Sequence, residues 1–116
     1  MRFFRSLIVA TMLCAGAASC SGSKAPESCT PAGQTQTVNL QDFAFSPTCI
    51  GAAAGAHLVL QNTGSTKHTF TIPNTPIDQS VDPGAGGEVS LQGIAPGTYH
   101  VVCTINPQMT ATLVVT

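Results

Sequence analysis

The chain has 116 residues, enough for one small domain, and only 8% of them are charged, with a formal net charge of −1. No basic stripe is present, so the composition argues against nucleic acid as a partner. Few charges with abundant Thr, Val, Gly and Pro suit a compact all-β domain and argue against disorder, which needs high charge and few β-branched residues.

Arg2 and Arg5 precede an apolar run from Leu7 to Ala18, which exits through Ala17-Ala18-Ser19-Cys20. A basic head, about a dozen apolar residues and a small-residue exit read as a secretory signal peptide over residues 1–19. The run is shorter than the ~20 residues that a bilayer span needs. Cysteine directly after the small residues resembles a bacterial lipobox. Cys20 would then become the lipidated first residue, anchored on the extracytoplasmic face of a membrane. Ala17 stands where leucine is usual in that pattern, and the alternative is ordinary cleavage near Ala18 with Cys20 free. In the mature chain, Lys24 and Lys67 stand against Glu27, Asp42, Asp78, Asp82 and Glu88, and two cations against five carboxylates leave −3.

Cys14 lies inside the apolar run and is lost on export, leaving Cys20, Cys29, Cys49 and Cys103. With lipid on Cys20, three thiols remain, an odd number for an exported protein. The simplest pairing is Cys29 with Cys49, which leaves Cys103 free. Closing a loop of that size contributes roughly 3 kcal/mol in the chain-entropy account. The alternative leaves Cys29 unpaired in a linker.

Residues 20–34 are rich in Ser, Gly, Pro and Ala and read as a lipidated tether; the domain occupies 35–116. Thr35 to Leu40 alternates polar and apolar residues, the signature of a half-buried strand. Asp42 to Ile50 carries aromatics and reads as a short strand broken near Pro47. His57 to Asn62 is a strand with Leu58 and Leu60 on one face. Thr63-Gly-Ser-Thr is turn chemistry. Lys67 to Ile72 is a strand that puts His68, Phe70 and Ile72 on one face. Residues 73–87 read as a long connection. Glu88 to Gln92, Thr98 to Cys103 and Thr110 to Val115 complete the strands. About seven short strands separated by turns predict a sandwich or barrel.

Cys103 and Met109 lie six residues apart, between the last two strands. Thiolate and thioether sulfurs with an imidazole nitrogen select copper over calcium or magnesium. The segment Gly97-Thr-Tyr-His-Val-Val-Cys103-Thr-Ile-Asn-Pro-Gln-Met109-Thr-Ala-Thr-Leu-Val-Val115 resembles the carboxy-terminal pattern of the cupredoxins, the blue-copper proteins. Phe43-Ala-Phe-Ser-Pro, Leu60-Gln-Asn-Thr-Gly64 and His68-Thr-Phe-Thr-Ile72 extend the resemblance over most of 35–116. The resemblance implies a Greek-key β-sandwich of about seven to eight strands. It also implies one copper ion, with His68 as first imidazole ligand, Cys103 as thiolate and Met109 as axial thioether. Asn106 falls where that family has its second histidine. An amide is a poorer copper donor than imidazole, so its presence should weaken Cu(II) binding more than Cu(I) binding. Asn-Pro is also a common turn pair, and Asn106 could simply shape a loop.

Alternation puts Tyr99, Val101 and Cys103 on one face of their strand and His100 on the other, pointing away from Cys103. His57 reads as a surface residue. The function implied is one-electron transfer or copper handling, without catalysis, beside a redox protein or a copper donor or acceptor at the membrane. The alternative is a metal-free cupredoxin-fold binding module. A third reading is a thiol enzyme using Cys103 with His68, for which the sequence offers no orienting carboxylate.

Overall fold

The computed structural model describes residues 29–116. The expected signal peptide 1–19, the expected lipidation site Cys20 and the first part of the expected tether lie outside the described residues. Among those described there is no helix, and nine strands form two facing sheets. One sheet holds, in order, β2 (Ala44–Ser46), β1 (Thr35–Gln41), β4 (His57–Asn62) and β7 (Gly86–Ser90). The other holds β3 (Cys49–Ala52), β9 (Thr110–Val115), β8 (Gly97–Val102), β5 (His68–Thr71) and β6 (Asp78–Val81).

The all-β sandwich is the architecture that the turn spacing predicts, but with nine strands rather than seven to eight. Two segments account for the difference. The aromatic stretch 42–50 is two strands in different sheets, and Pro47, which cannot donate to a ladder, sits where the chain crosses. The stretch 73–87 contains β6, an edge strand that pairs only with β5. Its sequence, Asp-Gln-Ser-Val, buries only Val81, so it lacks the apolar alternation that marks a strand.

The core forms where the alternating residues of both sheets meet. Val38 and Leu40 of β1, Leu58 and Leu60 of β4 and Leu113 and Val115 of β9 are all buried. Phe45 from one sheet meets Phe70 from the other edge to face, with ring centroids 5.9 Å apart and an interplanar angle of 83°. Full burial of such a ring contributes about 1.5–3 kcal/mol. At the margin, Cys29 is disulfide-bonded to Cys49. Thr30 N–H donates to the Cys49 carbonyl at 3.2 Å, and Gly51 N–H donates to Thr30 Oγ1 at 2.8 Å. A side chain at Gly51 would collide with the Thr30 carbonyl, so this close approach needs glycine.

Two pairings position the functional end of the molecule. β1 and β4 run parallel, with Leu40 opposite Asn62, so the two strands finish side by side. β5 and β8 are antiparallel, with their last residues Thr71 and Val102 opposite each other, which sets the start of β5 beside the residues that follow β8.

Candidate metal centre

His68 opens β5, and Cys103 follows the last residue of β8. The inward face read from the sequence holds: His68, Phe70 and Ile72 are buried, as are Val101 and Cys103. His68 Nδ1 lies 3.9 Å from Cys103 Sγ. Imidazole nitrogen sits about 2.0–2.1 Å and thiolate sulfur about 2.3 Å from a first-row ion such as zinc. Two donors 3.9 Å apart can therefore share one ion of that size.

The sulfur is held from the protein side. Thr69 N–H donates to Cys103 Sγ at 3.3 Å. Thr69 Oγ1 accepts from Thr104 N–H at 2.8 Å and lies 3.1 Å from Thr104 Oγ1, tying the two segments together. Burial pushes the Cys103 thiol up. The Thr69 N–H, His68 and the backbone N–H groups of Asn106 and Ile105 outweigh it, so the net shift is below the ordinary thiol value. The loop after Cys103 is closed by its own backbone. Cys103 N–H donates to the Met109 carbonyl at 3.0 Å, and Met109 N–H donates to the Asn106 carbonyl at 2.9 Å. Met109 is buried in the core cluster, while Asn106 is half-buried. Both line a cleft of about 560 Å³ with Phe43, Ile105, Pro107 and Gln108.

Asp42 is the residue that the sequence reading missed. Its Oδ1 lies 2.7 Å from His68 Nε2, on the far side of the ring from Cys103. The Ser65 hydroxyl and backbone N–H donate to its other oxygen, and Thr66 Oγ1 donates to Oδ1 at 3.0 Å. The Ser65 hydroxyl, then its N–H, then His68 hold the Asp42 carboxyl well below the usual carboxylate range. An ionised carboxylate only accepts, so the proton of a neutral His68 sits on Nε2. The lone pair of Nδ1 is left facing the sulfur. A carboxylate that fixes the tautomer of a ligating imidazole in this way is a recurrent partner of metal sites. Asn62, also buried, steadies the loop between β4 and β5. Its Nδ2 donates to the carbonyls of Thr66 at 2.8 Å and Val81 at 2.9 Å, and its Oδ1 accepts from Gly64 N–H.

The other two histidines lie elsewhere. His57 pairs with Glu88 at 3.0 Å on the surface, and His100 is exposed on the outer face of β8. Among the described residues, no three of His, Cys, Asp and Glu gather as a metal-binding group. The donors gathered here are one imidazole and one thiol, with Asn106 and Met109 on the loop that follows the thiol.

This chain belongs to the cupredoxin-like domain family, whose sequence profile matches residues 6–115. No curated protein sequence matches it. Among solved structures it is similar to the Cu(I) form of an amicyanin mutant, at 15% identity over 73% of this chain and 85% of that one, with a TM-score of 0.62. It is also similar to reduced auracyanin from Roseiflexus castenholzii, at 15% identity over 73% of this chain and 98% of that one, with a TM-score of 0.61. A Cu-containing nitrite reductase from Thermus scotoductus SA-01 matches at 20% identity over 82% of this chain, with a TM-score of 0.59. The chain spans only 24% of that reductase. At these identities the likeness is one of fold.

Proposed function

We propose that the protein holds one copper ion with His68, Cys103 and Met109 and serves in one-electron transfer or copper handling. The observation that carries this reading is the pairing of His68 Nδ1 with Cys103 Sγ at 3.9 Å, with Nε2 fixed by Asp42. Soft sulfur donors with imidazole suit copper, and hydrogen bonds to the thiolate tune its potential. Bound copper supplies a one-electron couple. Cys103 offers the thiolate, Thr69 N–H draws density from the sulfur, and Asp42, accepting from Nε2, turns Nδ1 toward the sulfur. Asn106 leaves the donor set one imidazole short of the family's usual four, which favours Cu(I). The Arg2/Arg5 head, the apolar run and Cys20 support export and a lipid anchor on the extracytoplasmic membrane face. A redox protein, or a copper donor or acceptor, at that membrane is the partner we propose.

Asp42, His68 and Cys103 also stand in the order of a thiol-nucleophile triad, with Asp42 as the orienting carboxylate that the sequence does not reveal. Burial argues against catalysis. His68 and Cys103 are each 0% exposed, and neither lines the cleft. With both groups buried, we propose a carrier rather than an enzyme.

The test is titration of the full mature chain, with Cys103 reduced, by Cu(I) and Cu(II). One copper per chain is expected, lost in His68→Ala and Cys103→Ala, and bound more tightly as Cu(I). Absence of binding would sink the proposal. It would leave a metal-free binding module, the reading that Asn106 favours. A copper-dependent rise in melting temperature counts against that second reading.

A further inference from the structure

Resting on the lipid anchor at Cys20 proposed above, we propose that the end of the sandwich carrying His68 and Cys103 lies against the bilayer, with Phe43 and Ile105 inserted among the lipids. Two independent observations point to that end. One is where the anchored segment joins the domain, and the other is where large apolar side chains are exposed.

The first is the path of the chain after Cys29. β8 runs toward the site and β9 leaves it, with Thr110 opposite Val102 and Val115 opposite Gly97. β3 runs parallel to β9, from Cys49 opposite Thr112 to Ala52 opposite Val115. Residues 29–34 follow β3 in the same direction. Cys29 is bonded to Cys49, Thr30 N–H donates to the Cys49 carbonyl, and Ala53 N–H donates to the Gly33 carbonyl at 3.0 Å. His57 N–H then donates to the Gln34 carbonyl at 2.9 Å, at the start of β4, the end remote from the site. The chain thus reaches the remote end only at Gln34, and the disulfide fixes its attachment nearer the His68–Cys103 end. From Cys20 to Cys29 is 29 − 20 = 9 residues. An extended chain spans at most ~3.3–3.6 Å per residue, which keeps Cys29 within about 30 Å of the lipidated residue. That reach exceeds the length of the six-residue β9, roughly 20 Å at ~3.3 Å per residue. The anchor therefore limits distance, and the surface must supply the orientation.

The second observation supplies it. Phe43 and Ile105 are the exposed large apolar side chains among the described residues, at 61% and 51%. Phe43 lies in the turn after β1, edge-on to His68 with ring centroids 6.1 Å apart, and Ile105 lies in the loop after β8. They line one cleft with Pro107 and Met109, and no charged residue joins them there. Charge offers no rival mode of attachment. Lys67 is the only lysine or arginine among the described residues, and it lies 3.6 Å from Asp82. Without a basic patch for anionic headgroups, the contact rests on apolar insertion. Two side chains hold a free domain weakly, but an anchor raises their effective concentration at the bilayer.

The chain contains no tryptophan, so one introduced indole reports alone. The lipidated mature chain carrying Phe43→Trp, Ile105→Trp or His57→Trp is placed in phosphatidylcholine vesicles with and without brominated acyl chains. Emission from the first two should be quenched several-fold more than from His57→Trp, which reports on the remote end. Either of the two suffices should the other fail to fold. The contrast should survive high salt and added phosphatidylglycerol. Equal quenching at both ends, stronger quenching of His57→Trp, or a contrast abolished by salt would overturn the proposal. So would indoles at 43 and 105 that aqueous acrylamide reaches on vesicles as freely as in the acyl-free chain, which would leave the rim to a protein partner. Mass spectrometry of Cys20 separates the two readings. An unacylated cysteine removes the anchor and the orientation together, whereas an acylated chain without the contrast removes the orientation alone.

Discussion

Asp42 and Cys103 approach His68 from opposite sides of one ring: Asp42 Oδ1 lies 2.7 Å from Nε2, and Cys103 Sγ lies 3.9 Å from Nδ1. The carboxylate therefore decides which nitrogen faces the sulfur. Asp42→Asn should weaken copper binding by about 10–100-fold, the usual cost of losing such a partner. Competition titration against a chelator of known affinity reads the change. Unaltered affinity would mean that His68 needs no help to present Nδ1.

The same carboxyl makes the metal-free domain sensitive to acid. Its folded pKa is depressed, chiefly by the Ser65 hydroxyl, then by the Ser65 N–H and by His68. A depressed carboxylate contributes stability above its unfolded pKa of about 4, and that contribution is lost as pH falls further toward the folded value. Denaturant midpoints of the wild type should drop below about pH 4 more steeply than those of Asp42→Asn. Parallel curves for the two proteins would remove Asp42 from the account.

Gly64 sits against this network. A Cβ there would collide with the Asp42 carboxylate, which is anchored by Ser65, Thr66 and His68 and cannot swing away without breaking those bonds. Gly64→Ala should therefore lower copper affinity in the same direction as Asp42→Asn, although residue 64 touches no ligand atom. A variant with normal affinity would show that the loop yields instead.

The Cys29–Cys49 disulfide lies outside the His68–Cys103 pair. Cys29→Ser with Cys49→Ser should cost about 3 kcal/mol of stability through the loop that the bond closes. Copper stoichiometry and the optical spectrum should not change. A changed spectrum would mean that the margin and the site are coupled.

Much of the fold was legible because strand burial is a local property. Val38 and Leu40, Leu58 and Leu60, and Leu113 and Val115 alternate with exposed or half-exposed neighbours, and that period of two is written in consecutive residues. The same alternation placed His68 and Cys103 inward and His100 outward. It failed at β6, where an edge strand with one buried residue carries no pattern to read. It failed again at residues 42–50, where apolar content on both sides of Pro47 hid a change of sheet.

Asp42 was not legible. It precedes His68 by 26 residues, and in the sequence it is one carboxylate among five. Only the parallel pairing of β1 with β4 sets Leu40 beside Asn62, so that the turn leaving β1 meets the loop leading to His68. Thr63 N–H donates to the Leu40 carbonyl at 2.9 Å and secures that meeting. The sequence by itself determined which side chains face inward and which soft donors the chain possesses, because both depend on nearest neighbours and residue type. The tertiary structure decided which carboxylate orients the imidazole and where the cleft opens beside Asn106. Those depend on strands paired across long stretches of chain, and no short window of residues encodes them.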